Sequence, residues 1–433
     1  MVSLIKRLRV LDNEKDVVNF INQRKFCYCY GAGVYGQRFV KYCNKKKLNI
    51  DAFVISDDQE YDMGEKILNL PVYRLSNLGD FKNCNIIIAV DKLYHEIILN
   101  NLYHLYHSGC IDNIAIIYTA PKFLINDYEE EVKKRERVSI FDYKRLSEDM
   151  DLVTNEKCSN NAFYGHDKIV KRLLGKSERD ILDASIEHGP SPAGNVVLKE
   201  EAECGNTYYV ASENRANLFK KYLPNKQVES IGSYMQYVDC TLSSAELDNF
   251  KKKLGKTLLV FPYHSSHYIE TQFNEHDLIL EIEKIKNKFD TVLICMYWKD
   301  ILLKKEQQYK DKKYKIVTAG HIFDYNFLAR LKSIIKLSDV SMSNAIGTHI
   351  GYCVYLGKPH YLCLNNMTFI KNGKVIYDAK QLGVVEADRC IIKYDAEFQR
   401  NIEKQAIIHF GEYKEYLTNE AINFVKEYWG EWK

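Results

Sequence analysis

Two rhythms of apolar and polar positions run along the chain, and each predicts its own kind of element. In the first part, short apolar runs in "KFCYCYGAG", "IDAFVISDD", "CNIIIAV" and "NIAIIYT" are separated by amphipathic stretches such as "VYGQRFVKYCNKK" and "YHEIILNNLYHL". Such runs read as strands buried on both faces, and the stretches between them as helices covering a parallel sheet. Residues 1–120 are therefore expected to form a Rossmann-like α/β domain. Residues 121–159 are dense in charge and lack strong apolar runs. They read as a solvated helical connector, with "EEEVKKRER" as an exposed face.

From residue 160 the alternation resumes. "RDILDASIEHG" ends a strand at His188 and Gly189, "NTYYVASENRANLFKKYL" is strand then helix, and "KQVESIGSYMQYV" is a strand entering a turn. "LSSAELDNFKKKLGK" reads as a helix with a serine cap and a terminal glycine, Gly255. After it come strand "TLLVFPYHSSH", helix "DLILEIEKIKNKF", strand "TVLICMYW", helix "DILLKKEQQY", strand "YKIVTAG", helix "NFLARLKSIIKL" and strand "DVSMSN". The pattern predicts a second doubly wound sheet, with strands on both sides of the helix that ends at Gly255. Its polar residues gather at strand ends, where ligands bind in open α/β sheets.

Composition narrows the function classes. The chain has 433 residues, 46% hydrophobic and 27% charged, with a net charge of +3. This is the balance of an ordinary globular protein, and lysines dispersed as in "NKKKLNI" and "FKKKLGK" form no nucleic-acid footprint. No apolar run approaches the roughly 18 residues of a membrane span, and the N-terminus has no signal-peptide core, so a cytoplasmic protein is expected. Of the twelve cysteines, only Cys27 and Cys29 are close neighbours. Both lie in a strand pattern, and reduced core thiols are the expected state.

Candidate chemistry lies at the strand ends. In the first domain Gly31, Gly33 and Gly36 form a GxGxxG between strand and helix, with Asp57 about 20 residues on, the spacing of a dinucleotide site. The glycines equally suit close packing of helix on strand. "YGAGVYGQRF … IDAFVISDD … LPVY" resembles the small nucleotide-binding-like modules at the front of bacterial sugar-modifying and sugar-transferring enzymes.

In the last part, "SNAIGTHIGYCVYLG" runs from a strand into a helix. The amides near Gly347, Thr348 and His349 then open a helix, which suits a phosphate, and Ser343 and Asn344 add polar side chains. Thr348 as a plain helix cap is the alternative. His264, Ser265 and Ser266 end the first strand of this part, and His321 ends the third. Imidazoles there could neutralise or donate to a phosphate. His264 and His267 are spaced as zinc ligands can be, but no HExxH or CxxC supplies further ligands, so no metal site is expected. Arg330 sits inside a helical pattern and reads as a solvated residue.

"IEHG", "ASENRANLFKKYL", "SIGSYMQYV", "KTLLVFPYHSSH", "SDVSMSNAIGTHIGYCVYLGKPHYL" and "FVKEYWGEW" together resemble the GT-B-type glycosyltransferases of bacterial capsule and surface-polysaccharide biosynthesis. The resemblance covers residues 160–433. It implies two facing Rossmann-like halves, a short acceptor half over 160–255 and a donor half over 256–433 that holds a nucleotide sugar (a UDP- or CMP-sugar), and no required cofactor beyond that donor. It also implies a glycan or lipid-linked acceptor, compatible with peripheral association at the inner face of the plasma membrane, and a last helix that crosses back onto the preceding half. His188 is then the expected base, with Glu187 as runner-up. His264, Ser265, His321, Ser343, Asn344, Gly347, Thr348 and His349 are the expected donor-phosphate residues. The alternatives are an NAD-dependent sugar oxidoreductase or epimerase using the GxGxxG module, and a non-catalytic scaffold of polysaccharide assembly.

Overall fold

The computed structural model describes residues 8–59, 64, 66–80, 83–189, 204–266, 269–371, 373–376 and 396–432. The chain divides into two compact units, Met1–Glu131 with Asp151–Asn155, and Val132–Met150 with Glu156–Lys433.

The first unit is built on strands β1 (Arg9–Val10), β2 (Phe26–Tyr30), β3 (Ala52–Ile55), β4 (Val72–Arg74), β5 (Cys84–Ile88) and β6 (Ile111–Ile116). They form one parallel sheet in the order β1-β6-β5-β2-β3-β4. The strands are apolar at almost every position because both faces are covered. Cys27, Cys29, Phe53 and Ile87 pack into a cluster on one face, while Tyr28, Tyr30, Val54 and Ile86 pack into another. Cys27 and Cys29 share a face, as residues two apart in a strand must. Both are buried free thiols, and burial raises the pKa of each. The sheet turns back on itself between β2 and β5, so the glycine turn after β2 stands at the switch point.

The second unit holds two parallel sheets. β7 (Ala184–Ile186), β8 (Thr207–Val210) and β9 (Gln227–Ser230) lie in the order β7-β8-β9. β10 (Thr257–Phe261), β12 (Thr291–Cys295), β13 (Lys315–Val317), β14 (Val340–Ser343) and β15 (His360–Leu362) lie in the order β13-β12-β10-β14-β15. A small antiparallel sheet, β11 (Glu270–Gln272), β16 (Thr368–Lys371) and β17 (Lys374–Ile376), stands beside them. One buried cluster joins Ile186 and Tyr209 of the short sheet to Leu259, Phe261, Leu293 and Val317 of the long one, so the two halves share a core. The molecule is thus α/β, with the second unit made of two α/β halves of unequal size, of which the larger has its strand order reverse between β10 and β14.

Local signals account for most boundaries. The helix Ser244–Leu254 has a capping box between Ser243 and Glu246 and ends at Gly255, φ 64°, where only glycine is at ease. The helix expected over "DILLKKEQQY" is broken into Trp298–Leu302 and Gln307–Asp311, with Lys304 at φ 60°. The break turns the Lys305 ammonium to Thr271 O, 2.7 Å, and Asp300, 3.2 Å.

The run "EEEVKKRER" is not a uniformly solvated face. Arg135 is buried and donates to Leu146 O and Glu148 O. Among the described residues no helix is long and apolar enough to cross a membrane.

Candidate active site

A cavity of about 260 Å³ opens at the carboxyl ends of both parallel sheets of the second unit. His188 and Gly189 reach it from β7, Phe261–His264 from β10, Cys295–Tyr297 from β12, Ala319 from β13, and Ile346–His349 from the turn after β14. Tyr164 and His166 add a wall from the helix Ser159–Gly165 and the one that follows it, and Phe327, Leu328 and Leu331 form an apolar floor. Among the described residues no lysine, arginine, aspartate or glutamate lines it. Its polar groups are imidazoles, hydroxyls and backbone, set in an apolar and aromatic surround.

The helix Thr348–Tyr355 begins at the switch point between β10 and β14. Gly347 is its N-cap, and no side chain caps it. Thr348 is therefore the first helical residue and not the cap. Gly347 is extended (φ −163°), so its backbone does not demand glycine. The reason lies in space: a Cβ there would come within 2.8 Å of His349 Cε1. The absent side chain lets the His349 ring fold back over the helix start and stack on Phe261, 4.9 Å between centroids.

Gly351 has a similar reason, since a Cβ there would sit 2.4 Å from the Trp429 indole. The same indole donates through Nε1 to Gly347 O, 3.2 Å. The helix Asn419–Trp429 thus presses on the helix that opens the site, and just beyond it Glu431 O accepts from Ser233 N of the short half, 3.4 Å.

The other imidazoles divide into exposed and buried. His188 is exposed at the cavity edge, against the rings of Phe163 and Tyr164, each 5.2 Å away. His264 is exposed and stacks on Tyr297 at 4.3 Å. His166 is 1% exposed, and neither ring nitrogen has a hydrogen-bond partner. Burial pushes its pKa, and that of His349, down to about 3, with the neighbouring His188 and His264 respectively adding to the effect. Both imidazoles are neutral near pH 7.

His166 is absent from the candidates named in the sequence. The signal that could have found it is "FYGHD", an aromatic and a glycine before a helix. Tyr164 (φ 58°) and Gly165 (φ 78°) take left-handed conformations in succession and swing both rings into the cavity. Tyr164 is a non-glycine residue in a strained region, a feature that clusters at functional sites.

Several expected site residues are spent on structure. Glu187 is buried, pairs with Arg215 Nε at 2.5 Å and accepts from Ala211 N, so it does not reach the cavity. Ser265 is buried and bonds Asp300 through both N–H and Oγ. Ser343 Oγ meets His360 Nε2 at 2.9 Å, and Ser341 Oγ meets the other ring nitrogen at 2.9 Å. Asn344 Oδ1 accepts from Tyr263 N, 2.7 Å, holding the turns after β10 and β14 together.

His321 is buried beside Trp298, 3.9 Å between rings, and near Asp149, 3.5 Å, outside the cavity lining. Arg330 is no solvated face residue: it is 1% exposed, pairs with Asp324 at 2.6 Å and donates to Ala319 O. Of the expected donor residues the structure brings together His264, Gly347, Thr348 and His349, and it adds His166. His267 lies outside the described residues. Among the described residues no group of three or more His, Cys, Asp or Glu is placed to hold a metal ion.

In the first unit Gly31 is left-handed (φ 110°), and a Cβ at Gly36 would fall 1.7 Å from Gly31 O. Those two glycines are required by the turn itself. Gly33, the N-cap of the helix Val34–Lys45, has nothing within 4 Å of where its Cβ would be. Asp57 Oδ1 accepts from Ser76 N, 3.0 Å, and Ser76 Oγ, 2.8 Å, closing a loop at the end of β3.

No protein-family model matches the chain, and no curated protein matches it. Among solved structures it is similar to the S. aureus MnaA–UDP co-structure, at 10% identity over 94% of this chain and 93% of that one, with a TM-score of 0.32. It is also similar to the wall teichoic acid polymerase TagF, at 10% identity over 80% and 72%, TM-score 0.27. A third is UDP-GlcNAc 2-epimerase from Methanocaldococcus jannaschii in complex with UDP-GlcNAc and UDP, at 12% identity over 93% and 98%, TM-score 0.33. Likeness at this level concerns the general layout of helices and strands and assigns this chain neither ligand nor reaction.

Proposed function

We propose that the second unit is a glycosyltransferase that takes a UDP- or CMP-sugar donor and passes the sugar to a glycan or lipid-linked acceptor of surface-polysaccharide synthesis. The observation that carries this reading is the position of the cavity. It lies at the carboxyl ends of two facing parallel sheets, with a helix start lacking a side-chain cap at the switch point of the larger one. That is where an open α/β sheet binds a nucleotide.

Donor phosphate belongs over the start of the helix Thr348–Tyr355, where backbone N–H groups and the helix dipole favour negative charge. Thr348 supplies a hydroxyl and His349 an imidazole that burial keeps neutral. These groups would stabilise the departing nucleotide as the glycosidic bond to phosphate breaks. The His264–Tyr297 pair offers a flat stacking surface beside it.

The acceptor hydroxyl must lose a proton as it attacks the sugar carbon, and we assign that proton to His188, on the support of its exposed position at the edge of the cavity. Glu187 is assigned a positioning role, fixing the end of β7 through Arg215 and Ala211.

The test is a panel of UDP- and CMP-sugars offered with glycan acceptors to the purified chain, with transfer read by mass spectrometry. Transfer that depends on His188 is expected. Stabilisation by NAD together with sugar oxidation and no transfer would support the oxidoreductase reading instead.

A further inference from the structure

The second unit contains another helix start on the same cavity. The helix His166–Leu173 has Gly165 as its N-cap and no side-chain cap, and its first residue is His166. The next residue, Asp167, is engaged by Lys171 at 3.3 Å and does not line the cavity. His166 packs on the Tyr234 ring, 4.3 Å away, and both its nitrogens are buried without a partner. A buried polar group without a partner is costly to keep, so its retention in a cavity wall points to a ligand that completes it. One half thus contributes Thr348 and His349 at a helix start, the other contributes His166 at a helix start, and among the described residues no carboxylate in the lining opposes either.

We infer that the cavity has two seats for negative charge, the donor phosphate at Thr348–His349 and an anionic substituent of the transferred sugar at His166. The inference rests on the glycosyl-transfer reading and narrows its donor to sugar acids. Burial decides which substrate fills the second seat. His188 stands exposed at the edge, where an acceptor approaches, whereas His166 is enclosed, so its partner must already be in place with the donor. A neutral imidazole presents one N–H, and a carboxylate accepts it in a charge-assisted hydrogen bond.

The experiment is calorimetry on the full chain with two matched comparisons. UDP-glucuronic acid is set against UDP-glucose, which differs only in a carboxylate replacing a hydroxymethyl, and CMP-N-acetylneuraminic acid is set against its carboxylate methyl ester. In at least one pair the acid is expected to bind about tenfold tighter or more, a charge-assisted hydrogen bond's worth. His166→Phe, which keeps a ring against Tyr234, is expected to cut that advantage below about threefold, the acid losing more affinity than its matched partner. His166→Asn, which keeps a donor, is expected to retain part of it and decides the matter if the phenylalanine variant does not fold.

Equal affinity within both pairs, no binding of any of the four, or an undiminished preference in the variants would overturn the inference. Transfer from a neutral donor without preference for the acid would remove this inference and leave the proposed function standing. A His166-dependent preference for the acid without transfer would do the reverse.

Discussion

Glu187 and His188 are neighbours in sequence and opposites in environment. Past the end of β7 successive side chains still point to opposite sides, which sends one into a buried pair with Arg215 and the other to the cavity edge. Replacing His188 by alanine is expected to lower turnover about 100-fold to 10,000-fold with donor affinity unchanged, since the base acts on the acceptor. Steady-state kinetics beside calorimetry reads both quantities, and near-normal turnover would move the base elsewhere. Glu187→Gln is expected instead to weaken the fold by roughly 3–5 kcal/mol, because it leaves the Arg215 guanidinium buried without its counter-charge. Urea unfolding of the variant measures that loss.

Single residues were the hardest thing to read from sequence. A polar residue at a strand end is legible as a candidate, but Ser265, Ser343, Asn344 and His321 show that such residues as often tie one turn to the next. His166 was missed because its orientation depends on two successive left-handed residues, which composition and periodicity do not reveal.

At the scale of elements the sequence was far more informative. Strands buried on both faces leave unbroken apolar runs, and the helices between them leave amphipathic ones, so the order of elements in both units was legible. What periodicity could not show was the break at Lys304, a change of backbone direction within a continuous helical pattern. Nor could it show the burial of Arg135 and Arg330, whose charges are met by backbone carbonyls and, for Arg330, by the buried Asp324 carboxylate.

Two element-scale predictions follow from the glycines and the helix cap. Gly36→Val is expected to prevent proper folding of the first unit, because its Cβ would strike Gly31 O, whereas Gly33→Val is expected to fold normally. Circular dichroism on both variants checks this, and nucleotide calorimetry on Gly33→Val then asks whether the glycine turn serves a ligand at all.

Because Gly347 and not Thr348 caps its helix, Thr348→Ala is expected to lower the melting temperature by less than the loss of a helix cap would. It should weaken binding of the donor nucleotide by one hydrogen bond, about 0.5–1.5 kcal/mol. A lowered melting temperature with unchanged affinity would return Thr348 to a purely structural role.

For the molecule as a whole, buried histidines tie stability to pH. His166 and His349 have pKa values lowered to about 3 by burial, and that of His360 is well below the ordinary value for the same reason. All three lie in the second unit. Unfolded, each takes up a proton near pH 6.5. Between there and about pH 3 the unfolded chain therefore binds more protons than the folded one. Stability is full above pH 6.5 and falls as pH drops, by up to about 1.4 kcal/mol per pH unit for each histidine. Urea midpoints at pH 7.5 and 5.5 are expected to show the lower value at pH 5.5, and identical midpoints would contradict it.

The contact between Trp429 and Gly351 gives the site a dependence on helical phase as well as on residue identity. Each residue of an α-helix advances the face by about 100°. The indole must lie over the one position where the opposing helix has no side chain, and its N–H must meet Gly347 O. Adding or removing one residue between Thr418 and Trp429 would turn the ring away from both, and the residues that follow would lose their place beside Ser233. In that helix a shift of frame by a single position is therefore more damaging to the cavity than the exchange of almost any one side chain.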